Sequence, residues 1–450
     1  MDATLKKYAT ADVPRYTSYP TAVQFSEGFD HRTWKDWLAA LDEDATLSVY
    51  VHIPFCEKMC WYCGCHTTVP NTYDRAERYV QRLLREIEQT APLVNGPKGR
   101  VTHFHFGGGT PTYLKEEHLA AIVAAVRDHF GFAEGAEIAV EMDPRGFTPQ
   151  KARALADMGF NRGSFGVQDF NPHVQELINR IQPHDQVARC VEDLHKAGIA
   201  SVNFDLIYGL PGQTIESVRE TARLAAGLGP DRIAVFGYAH VPWFKRHQKM
   251  IRDEDLPDID ARYEQALAMG EALCANGYRA IGLDHYAKEG DSMIAALDNG
   301  TLRRNFQGYT VDPADALLGF GTSAISSMPQ GFAQSSRDMA KWASAIDNGE
   351  LTIDRGVAYT DEDLMRAEII EKLMCFLRVR PDEIAEKHGF PEAAIAESWE
   401  KLKPLQADGL CRVEDGEVIV PDERRLFVRT VCGAFDAYYK PRPNRHAKAI

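Results

Sequence analysis

The chain has 450 residues, of which 44% are hydrophobic and 26% are charged, and it carries a net charge of −14. This composition is typical of a globular protein and excludes a disordered or low-complexity chain. The acidic excess, without an evident block of lysine and arginine, argues against nucleic acid as a partner.

The chain shows no targeting or membrane signal. No apolar run reaches the length of about 18 residues that a transmembrane helix needs, and residues 1–20 lack the apolar core of a secretory signal. We therefore predict a cytoplasmic protein with no membrane partner, in which thiols stay reduced. Nine cysteines, an odd number, indicate metal or redox chemistry instead of a disulfide framework.

Six short runs rich in β-branched and aromatic residues alternate with amphipathic helical stretches. Strand–helix units at a spacing of about 30 residues favour a parallel sheet with right-handed crossovers. We predict an α/β fold with a partial, open (β/α)6 barrel, or alternatively a doubly wound open sheet. In both folds the chemistry belongs at the C-terminal ends of the strands. The predicted strands cover residues 47–55, 101–108, 137–144, 161–168, 201–209 and 232–239.

From about residue 360 the pattern changes to helices separated by proline and glycine, followed by a hairpin at 411–421. The Asp415-Gly416 pair is typical of a type I′ turn. Helices followed by a hairpin predict a mostly helical, winged-helix-like domain, for which we expect a packing or substrate-covering role. We therefore divide the chain into an N-terminal arm (1–45), a barrel (46–350) and a C-terminal domain (351–450).

The segment CEKMCWYCGC places four cysteines within residues 56–65. Structural zinc typically uses two CxxC pairs about a dozen or more residues apart, and the absence of a second pair disfavours a closed zinc site. An iron–sulfur cube normally takes four thiolates. Three thiolates on one loop, from Cys56, Cys60 and Cys63, would leave one iron open for a ligand.

The CxxxCxxC spacing directly after the first strand resembles that of the radical S-adenosylmethionine (radical SAM) superfamily. The resemblance implies that Cys56, Cys60 and Cys63 bind a [4Fe–4S] cluster and that the open iron binds S-adenosylmethionine. Reductive cleavage of this cofactor would give methionine and a 5′-deoxyadenosyl radical. The same resemblance implies that the glycine-rich turn FGGGTPTYL (106–114) contacts the cofactor.

Polar residues recur near the ends of the later strands. Glu141, Gln168 and Asp205 belong to the third, fourth and fifth predicted strands, and Arg180 lies on the loop after the fourth. Each could singly be a buried structural residue or a member of a surface ion pair. Together they suit a ligand with amine, carboxylate and ribose hydroxyl groups.

Several longer segments resemble the oxygen-independent coproporphyrinogen III oxidases, also called coproporphyrinogen dehydrogenases. The resemblance covers nearly the whole chain and includes PRYTSYP (14–20), YVHIPFCEKMCWYCGC (50–65), GVQDFN (166–171), DLIYGLPGQT (205–214) and GFGTSAIS (319–326). It implies oxidative decarboxylation of two propionates of coproporphyrinogen III to vinyl groups, which gives protoporphyrinogen IX in haem biosynthesis. It also implies a monomer that binds two S-adenosylmethionine molecules and receives electrons from a reductant such as flavodoxin or ferredoxin.

The resemblance carries further residues into the predicted site. The N-terminal arm is expected to cover the active site, with Arg15, Tyr16 and Gln307 contacting the substrate. The residues expected to contact the two cofactor molecules are Tyr50, Tyr62, Gly108, Gly109, Thr110, Glu141, Gln168, Arg180, Asp205, Ala239 and Ile325.

Three alternatives remain open at this point. The first is a haem chaperone of the same radical SAM family, which the Cys65 of the CxC sequence and the PRYTSYP arm argue against. The second is a tRNA-modifying radical enzyme, which the acidic charge disfavours. The third is a non-enzymatic iron or zinc module, which would leave the glycine turn and the strand-end carboxylates unexplained.

Overall fold

A computed structural model describes residues 1–440, so residues 441–450 of the predicted C-terminal domain lie outside the described residues. Seven parallel strands form the centre of the molecule. They are β1 (Leu47–Ile53), β2 (Val101–Gly108), β3 (Phe132–Met142), β4 (Arg162–Gln168), β5 (Ser201–Tyr208), β6 (Arg232–Gly237) and β7 (Ala316–Phe320). Their spatial order is β7-β1-β2-β3-β4-β5-β6. All six predicted strands are confirmed, and β7, which pairs in parallel with β1, is additional.

Antiparallel strands extend the sheet at both edges, and within residues 1–440 the two outermost strands do not pair with each other. The sheet is therefore an open barrel, as predicted. Beyond β7 lie Ile325–Met328, Gly331–Ser335, Ile353–Ala358 and Ser26–Glu27, and beyond β6 lie His285–Lys288 and Tyr278–Ile281. The remaining strands are Arg303–Asn305, Gly308–Thr310, Arg378–Val379, Arg412–Glu414 and Glu417–Ile419.

Amphipathic helices connect the strands and cover the outside of the sheet. The helix Asp74–Thr90, for example, buries Tyr79, Val80, Leu83 and Ile87 on one face, which is the apolar stripe that its sequence predicts. No helix among the described residues combines the length and the apolarity needed to cross a bilayer. The α-helices are Ala3–Ala9, His31–Ala39, Asp74–Thr90, Glu116–His129, Pro149–Met158, Pro172–Leu177, His184–Ala197, Ile215–Gly227, Ile259–Ala275, Ser292–Asp298, Met339–Asp347, Asp361–Phe376, Pro381–Lys387, Ala396–Ala407 and Val428–Cys432.

The first strand shows how the sequence divides the two faces of the sheet. In β1 the apolar residues Val49, Val51 and Ile53 are fully buried and alternate with Tyr50 and His52. Because successive side chains of a strand point to opposite faces, the apolar set packs under the helices. The polar set faces the concave interior, which is the side on which a ligand can be held.

The C-terminal domain has the predicted combination of helices and a hairpin. Asp415 and Gly416 both have positive φ, 48° and 76°, as a type I′ turn requires at its two central residues. The strand Arg378–Val379 pairs with this hairpin, which completes a small three-stranded sheet.

The N-terminal arm contacts the last described segment of the chain. The Tyr16 hydroxyl donates to Asp436 Oδ2 at 3.0 Å, and the backbone N–H of Ala437 donates to the Tyr19 hydroxyl at 3.1 Å. The two ends of the described chain are therefore held together by side-chain hydrogen bonds.

Candidate active site

The cysteine loop begins at the C-terminal end of β1 and is closed by backbone hydrogen bonds. The Cys56 N–H donates to the Thr68 carbonyl at 3.1 Å, and the Thr68 N–H donates to the Pro54 carbonyl at 2.7 Å. These bonds join the two ends of the loop, so Cys56, Cys60 and Cys63 are presented together above the concave face of the sheet.

Hydrogen-bond donors surround two of these three sulfurs. Thr110 Oγ1 donates to Cys56 Sγ at 3.4 Å, while Arg145 Nη2 and Arg180 Nη1 donate to Cys60 Sγ at 3.2 and 3.4 Å. Burial raises the pKa of Cys56, and the hydroxyl donors oppose that rise. Hydrogen bonds to the sulfur ligands are among the contacts that tune iron–sulfur clusters. The donor set therefore suits an iron–sulfur cluster.

Cys63 and Cys65 differ in their protonation chemistry. A hydrogen bond from Cys65 lowers the pKa of Cys63 to about 6, against the effect of burial, and the same contact raises the pKa of Cys65 well above its ordinary value. The two thiols therefore titrate as a coupled pair. The assignment of Cys63 as the third ligand stays a prediction from the CxxxCxxC spacing.

The cysteines do not converge as a single-ion site would. In the described part of the chain, no three His, Cys, Asp or Glu side chains meet at one point where they could hold one metal ion. An iron–sulfur cube does not need that convergence, because each thiolate binds a different iron atom.

The glycine turn lies directly against the cysteine loop. The Gly109 N–H donates to the Ile53 carbonyl and the Thr110 N–H to the Phe55 carbonyl, both at 2.8 Å. A Cβ at Gly109 would lie 2.7 Å from Thr67 Oγ1 and 2.8 Å from the Phe55 carbonyl oxygen, which is too close for any other residue. From the sequence we expected this glycine to allow close approach of a ligand. In the structure it allows close approach of Thr67 and Phe55 of the cysteine loop.

Glu141 at the end of β3 is held as an acceptor beside this turn. Its carboxylate accepts from His105 Nε2 and from the Gly108 N–H, both at 3.1 Å. Burial alone would raise the pKa of Glu141, but these donors outweigh it and leave the pKa below its ordinary value. An ionised carboxylate here can accept hydrogen bonds from an amino group of a ligand.

Arg180 and Gln168 meet across Gly166 of β4. Arg180 donates to Asp143 Oδ2 at 3.0 Å and to the Gly166 carbonyl at 2.5 Å. A Cβ at Gly166 would lie 2.6 Å from Gln168 Nε2 and 3.2 Å from Arg180 Nη2. Among residues 1–440, the buried Nε atom of Arg180 has no hydrogen-bond partner, so the guanidinium can still bind an additional acceptor.

Asp205 of β5 shares an electrostatic environment with Glu141. Burial, followed by the negative charge of Glu141, raises the pKa of Asp205 to about 7. Near neutral pH this carboxyl group can either donate or accept a hydrogen bond, as binding to a ribose hydroxyl requires.

The remaining predicted cofactor residues lie close to those above. Gln248 Nε2 donates to the carbonyls of Tyr62 and Ala239, at 2.8 and 3.2 Å, which links the cysteine loop to the segment after β6. Gly319 of β7 is in register with Tyr50, and a Cβ there would lie 2.7 Å from the Ile325 carbonyl oxygen. Tyr50 and Ile325 are thus neighbours across one glycine.

The three predicted substrate residues are not joined to this constellation. Among residues 1–440, no hydrogen bond joins Arg15, Tyr16 or Gln307 to the cysteine loop or to the strand-end carboxylates. Tyr16 is buried and lines a cavity of about 250 Å³ that also touches Ser48 and Ala316. Ser48 and Ala316 lie near the N-terminal ends of β1 and β7, and Arg304 lines the same cavity.

Sequence reasoning missed several residues of the site. Asp143 and Arg145 follow β3 in the sequence EMDPRGF, and Arg145 reaches both Asp143, at 2.6 Å, and the sulfur of Cys60. His105 lies two positions before Gly107, the first glycine of the turn, and hydrogen-bonds with Glu141. The available signal was position, because all three lie near the C-terminal ends of β2 and β3, where site residues were expected.

Comparisons with known proteins agree with this geometry. The family model described as "Radical SAM superfamily" matches residues 50–225. The oxygen-independent coproporphyrinogen III oxidase of Bradyrhizobium diazoefficiens is 46% identical over 443 residues, which cover 98% of each chain. The enzyme of the same name from Escherichia coli K12 is 39% identical, with 97% of this chain and 95% of that protein covered.

A solved structure shows the same fold over the full length. The coproporphyrinogen III oxidase from Escherichia coli, described as a radical SAM enzyme, superposes with a TM-score of 0.91 at 39% identity. The match covers 97% of this chain and 99% of that one. The fold, the cysteine loop and the near-complete coverage therefore lead to one conclusion: this chain belongs to the family of oxygen-independent coproporphyrinogen III oxidases, within the radical SAM superfamily.

Proposed function

We propose that this chain converts coproporphyrinogen III to protoporphyrinogen IX without oxygen, in haem biosynthesis. The observation that carries the proposal is the 46% identity, over 98% of both chains, to a protein named for this reaction. The arrangement of Cys56, Cys60 and Cys63 beside the glycine turn supports it, since the donors around these sulfurs suit an iron–sulfur cluster.

The site residues hold the cluster and the cofactor. Cys56, Cys60 and Cys63 bind the [4Fe–4S] cluster, with Arg145 and Arg180 stabilising the Cys60 thiolate. When bound and reduced, the cluster supplies the electron that cleaves S-adenosylmethionine to methionine and a 5′-deoxyadenosyl radical. The residues proposed to hold and orient this cofactor are Tyr50, Tyr62, Gly108, Gly109, Thr110, Glu141, Gln168, Arg180, Asp205, Ala239 and Ile325.

The substrate reaction is a stepwise oxidation of each of two propionates. The β-carbon loses a hydrogen atom to the adenosyl group, the carboxylate leaves as carbon dioxide, and one electron passes to an acceptor, which gives a vinyl group. The role of the chain is to place the β-carbon at the cofactor and to keep water away. Burial around Tyr50 and Asp205, which raises the pKa of both, supports a dry site.

We extend the proposal to the finer predictions made from the sequence. The protein binds two S-adenosylmethionine molecules, works as a cytoplasmic monomer and takes its electrons from flavodoxin or ferredoxin. The arm, residues 1–45, covers the active site and turns Arg15 and Tyr16 to the substrate. Gln307, outside the arm, also contacts the substrate.

Anaerobic reconstitution tests the reaction directly. The protein is loaded with iron and sulfide and given S-adenosylmethionine, a reductant and coproporphyrinogen III. We expect protoporphyrinogen IX together with methionine and 5′-deoxyadenosine, at two adenosines per porphyrinogen. A cluster-loaded protein that cleaves the cofactor and binds haem, but makes no vinyl product, would instead be a haem chaperone.

A further inference from the structure

Arginines from separate segments of the chain surround Tyr208, the last residue of β5. The guanidinium of Arg262, from the helix Ile259–Ala275, lies over the Tyr208 ring at 5.9 Å. The charges of Arg429 and Arg15 also act on the Tyr208 hydroxyl, and Arg304 acts on Arg429. The carboxylate of Asp284 also acts on the Tyr208 hydroxyl, but the arginines outnumber it at this strand end, in a chain whose net charge is −14.

Arg262 has no carboxylate partner among residues 1–440. Its one hydrogen bond is donated by Nη2 to the Tyr238 carbonyl, at 2.8 Å. A Cβ at Gly209 would lie 2.8 Å from Arg262 Nη1, so the guanidinium packs directly against the backbone of this glycine. Burial lowers the pKa of Arg262, as expected for a cation that lacks a counter-charge.

Arg304 is buried with unused donors. Its side chain is only 6% exposed, and its closest carboxylate contact is Nη1 to Asp284 Oδ1 at 3.6 Å. Its Nε and Nη1 atoms have no hydrogen-bond partner in the described part of the chain. Buried N–H groups without acceptors are costly, so this guanidinium is arranged for an acceptor that comes from outside the chain.

The position of these arginines relates them to the reaction. Tyr208 lies three residues after Asp205, and Tyr238 directly precedes Ala239, two residues proposed to hold the cofactor. A planar guanidinium binds a carboxylate through two parallel hydrogen bonds, a geometry that lysine cannot reproduce. A ligand with several carboxylates would satisfy Arg262 and Arg304 together.

We propose that Arg262 and Arg304, with Arg429 and Arg15 beside them, bind propionate carboxylates of the substrate. The inference rests on the proposed function, whose substrate carries four propionate groups. These arginines then fix the macrocycle relative to the cofactor, and they select for polycarboxylate porphyrinogens. They act in binding and positioning and take no part in bond cleavage.

A binding experiment on the cluster-loaded enzyme with S-adenosylmethionine tests this site. The probes are coproporphyrin III, the fluorescent oxidised tetracarboxylate, and its tetramethyl ester in the same mild detergent. Loss of a charge-assisted hydrogen bond should raise the Kd for the tetracarboxylate about 10- to 100-fold in R262Q and in R304Q. The Kd for the ester should stay unchanged, R262K should lose less than R262Q, and the surface variant R189Q should bind like the unmodified enzyme.

Formation of 5′-deoxyadenosine without substrate serves as the second readout, because it reports an intact fold and cofactor site. We expect it to persist in R262Q and R304Q. The proposal is overturned if both variants bind the tetracarboxylate as tightly as the unmodified enzyme. If the variants lose tetracarboxylate binding selectively while the unmodified enzyme forms no protoporphyrinogen, the binding site is supported and the proposed reaction is overturned.

Discussion

Arg180 donates a hydrogen bond of 3.4 Å to the sulfur of Cys60, although 120 residues separate them in the chain. The same guanidinium binds Asp143 and the Gly166 carbonyl. One side chain thus connects the proposed cluster ligand Cys60 to the ends of β3 and β4, where further residues proposed to hold the cofactor lie.

Removal of the Arg180 charge should lower the reduction potential of the cluster. In Arg180→Gln, the Cys60 thiolate loses a cationic donor, and the added negative charge of the reduced cluster is less well compensated. We expect a fall on the order of tens of millivolts, measured by an anaerobic redox titration followed by electron paramagnetic resonance. The exposed Arg189→Gln variant is the control, and an equal potential in both variants would contradict the assignment.

Substitution of single cysteines should separate the ligands from Cys65. Cys56→Ala, Cys60→Ala and Cys63→Ala should each lose most of the bound iron and the visible absorbance of the cluster. Cys65→Ala should keep the cluster, because Cys65 lies outside the CxxxCxxC spacing. Iron and sulfide analysis after anaerobic reconstitution decides the matter, and loss of iron in Cys65→Ala would show that the ligand set is wrong.

Gly109→Ala should disturb the contact between the glycine turn and the cysteine loop. The new methyl group would lie 2.7 Å from Thr67 Oγ1 and 2.8 Å from the Phe55 carbonyl oxygen, and overpacking of this kind costs about 1–3 kcal/mol. Gly64→Ala, in the cysteine loop, is the matched control, since no atom of residues 1–440 lies within 4 Å of its Cβ position. Thermal unfolding under anaerobic conditions should show a lower Tm for the first variant alone.

Glu86 should make stability depend on pH. It is buried and accepts hydrogen bonds from the Thr352 hydroxyl at 2.6 Å and the Gly321 N–H at 2.7 Å, yet burial raises the pKa of Glu86 to about 7. Between about pH 4.5 and 7 the folded protein therefore holds a proton that the unfolded chain has released, so the free energy of unfolding falls as pH rises.

Glu86→Gln removes this titration. The pH dependence between about pH 4.5 and 7 should become flatter by up to about 3 kcal/mol, as measured by denaturant unfolding at a series of pH values. An identical slope in the variant and the unmodified protein would show that Glu86 is ionised in the folded state throughout this range.

The six main strands could be predicted because each is a β-branched or aromatic run followed by an amphipathic helix. Strand β7 was missed because it has only five residues, ALLGF, and follows a long stretch without that alternation. The edge strands are similarly short and pair antiparallel, so no helical crossover marks them. The helices of the arm, Ala3–Ala9 and His31–Ala39, were hidden because their partners lie far away in the sequence.

The site was predictable where it follows from position and spacing. Cys56, Cys60 and Cys63 form a local motif, and Glu141, Gln168 and Asp205 lie at strand ends, where parallel topology brings side chains together. The donors to the sulfurs depend instead on side-chain reach across the barrel. The same applies to Arg262 and Arg304, since the residues that surround each guanidinium come together only in the folded chain.

The hydrogen bonds between the arm and the C-terminal segment bear on the order of events during synthesis. Tyr16 and Asp436 are 420 positions apart, so the arm leaves the ribosome long before its partner exists. The barrel strands can pair while this contact is still unmade, because Asp436 is translated 420 positions after Tyr16. An interval therefore exists in every round of synthesis in which the cysteine loop is complete and Tyr16 is not yet held by Asp436.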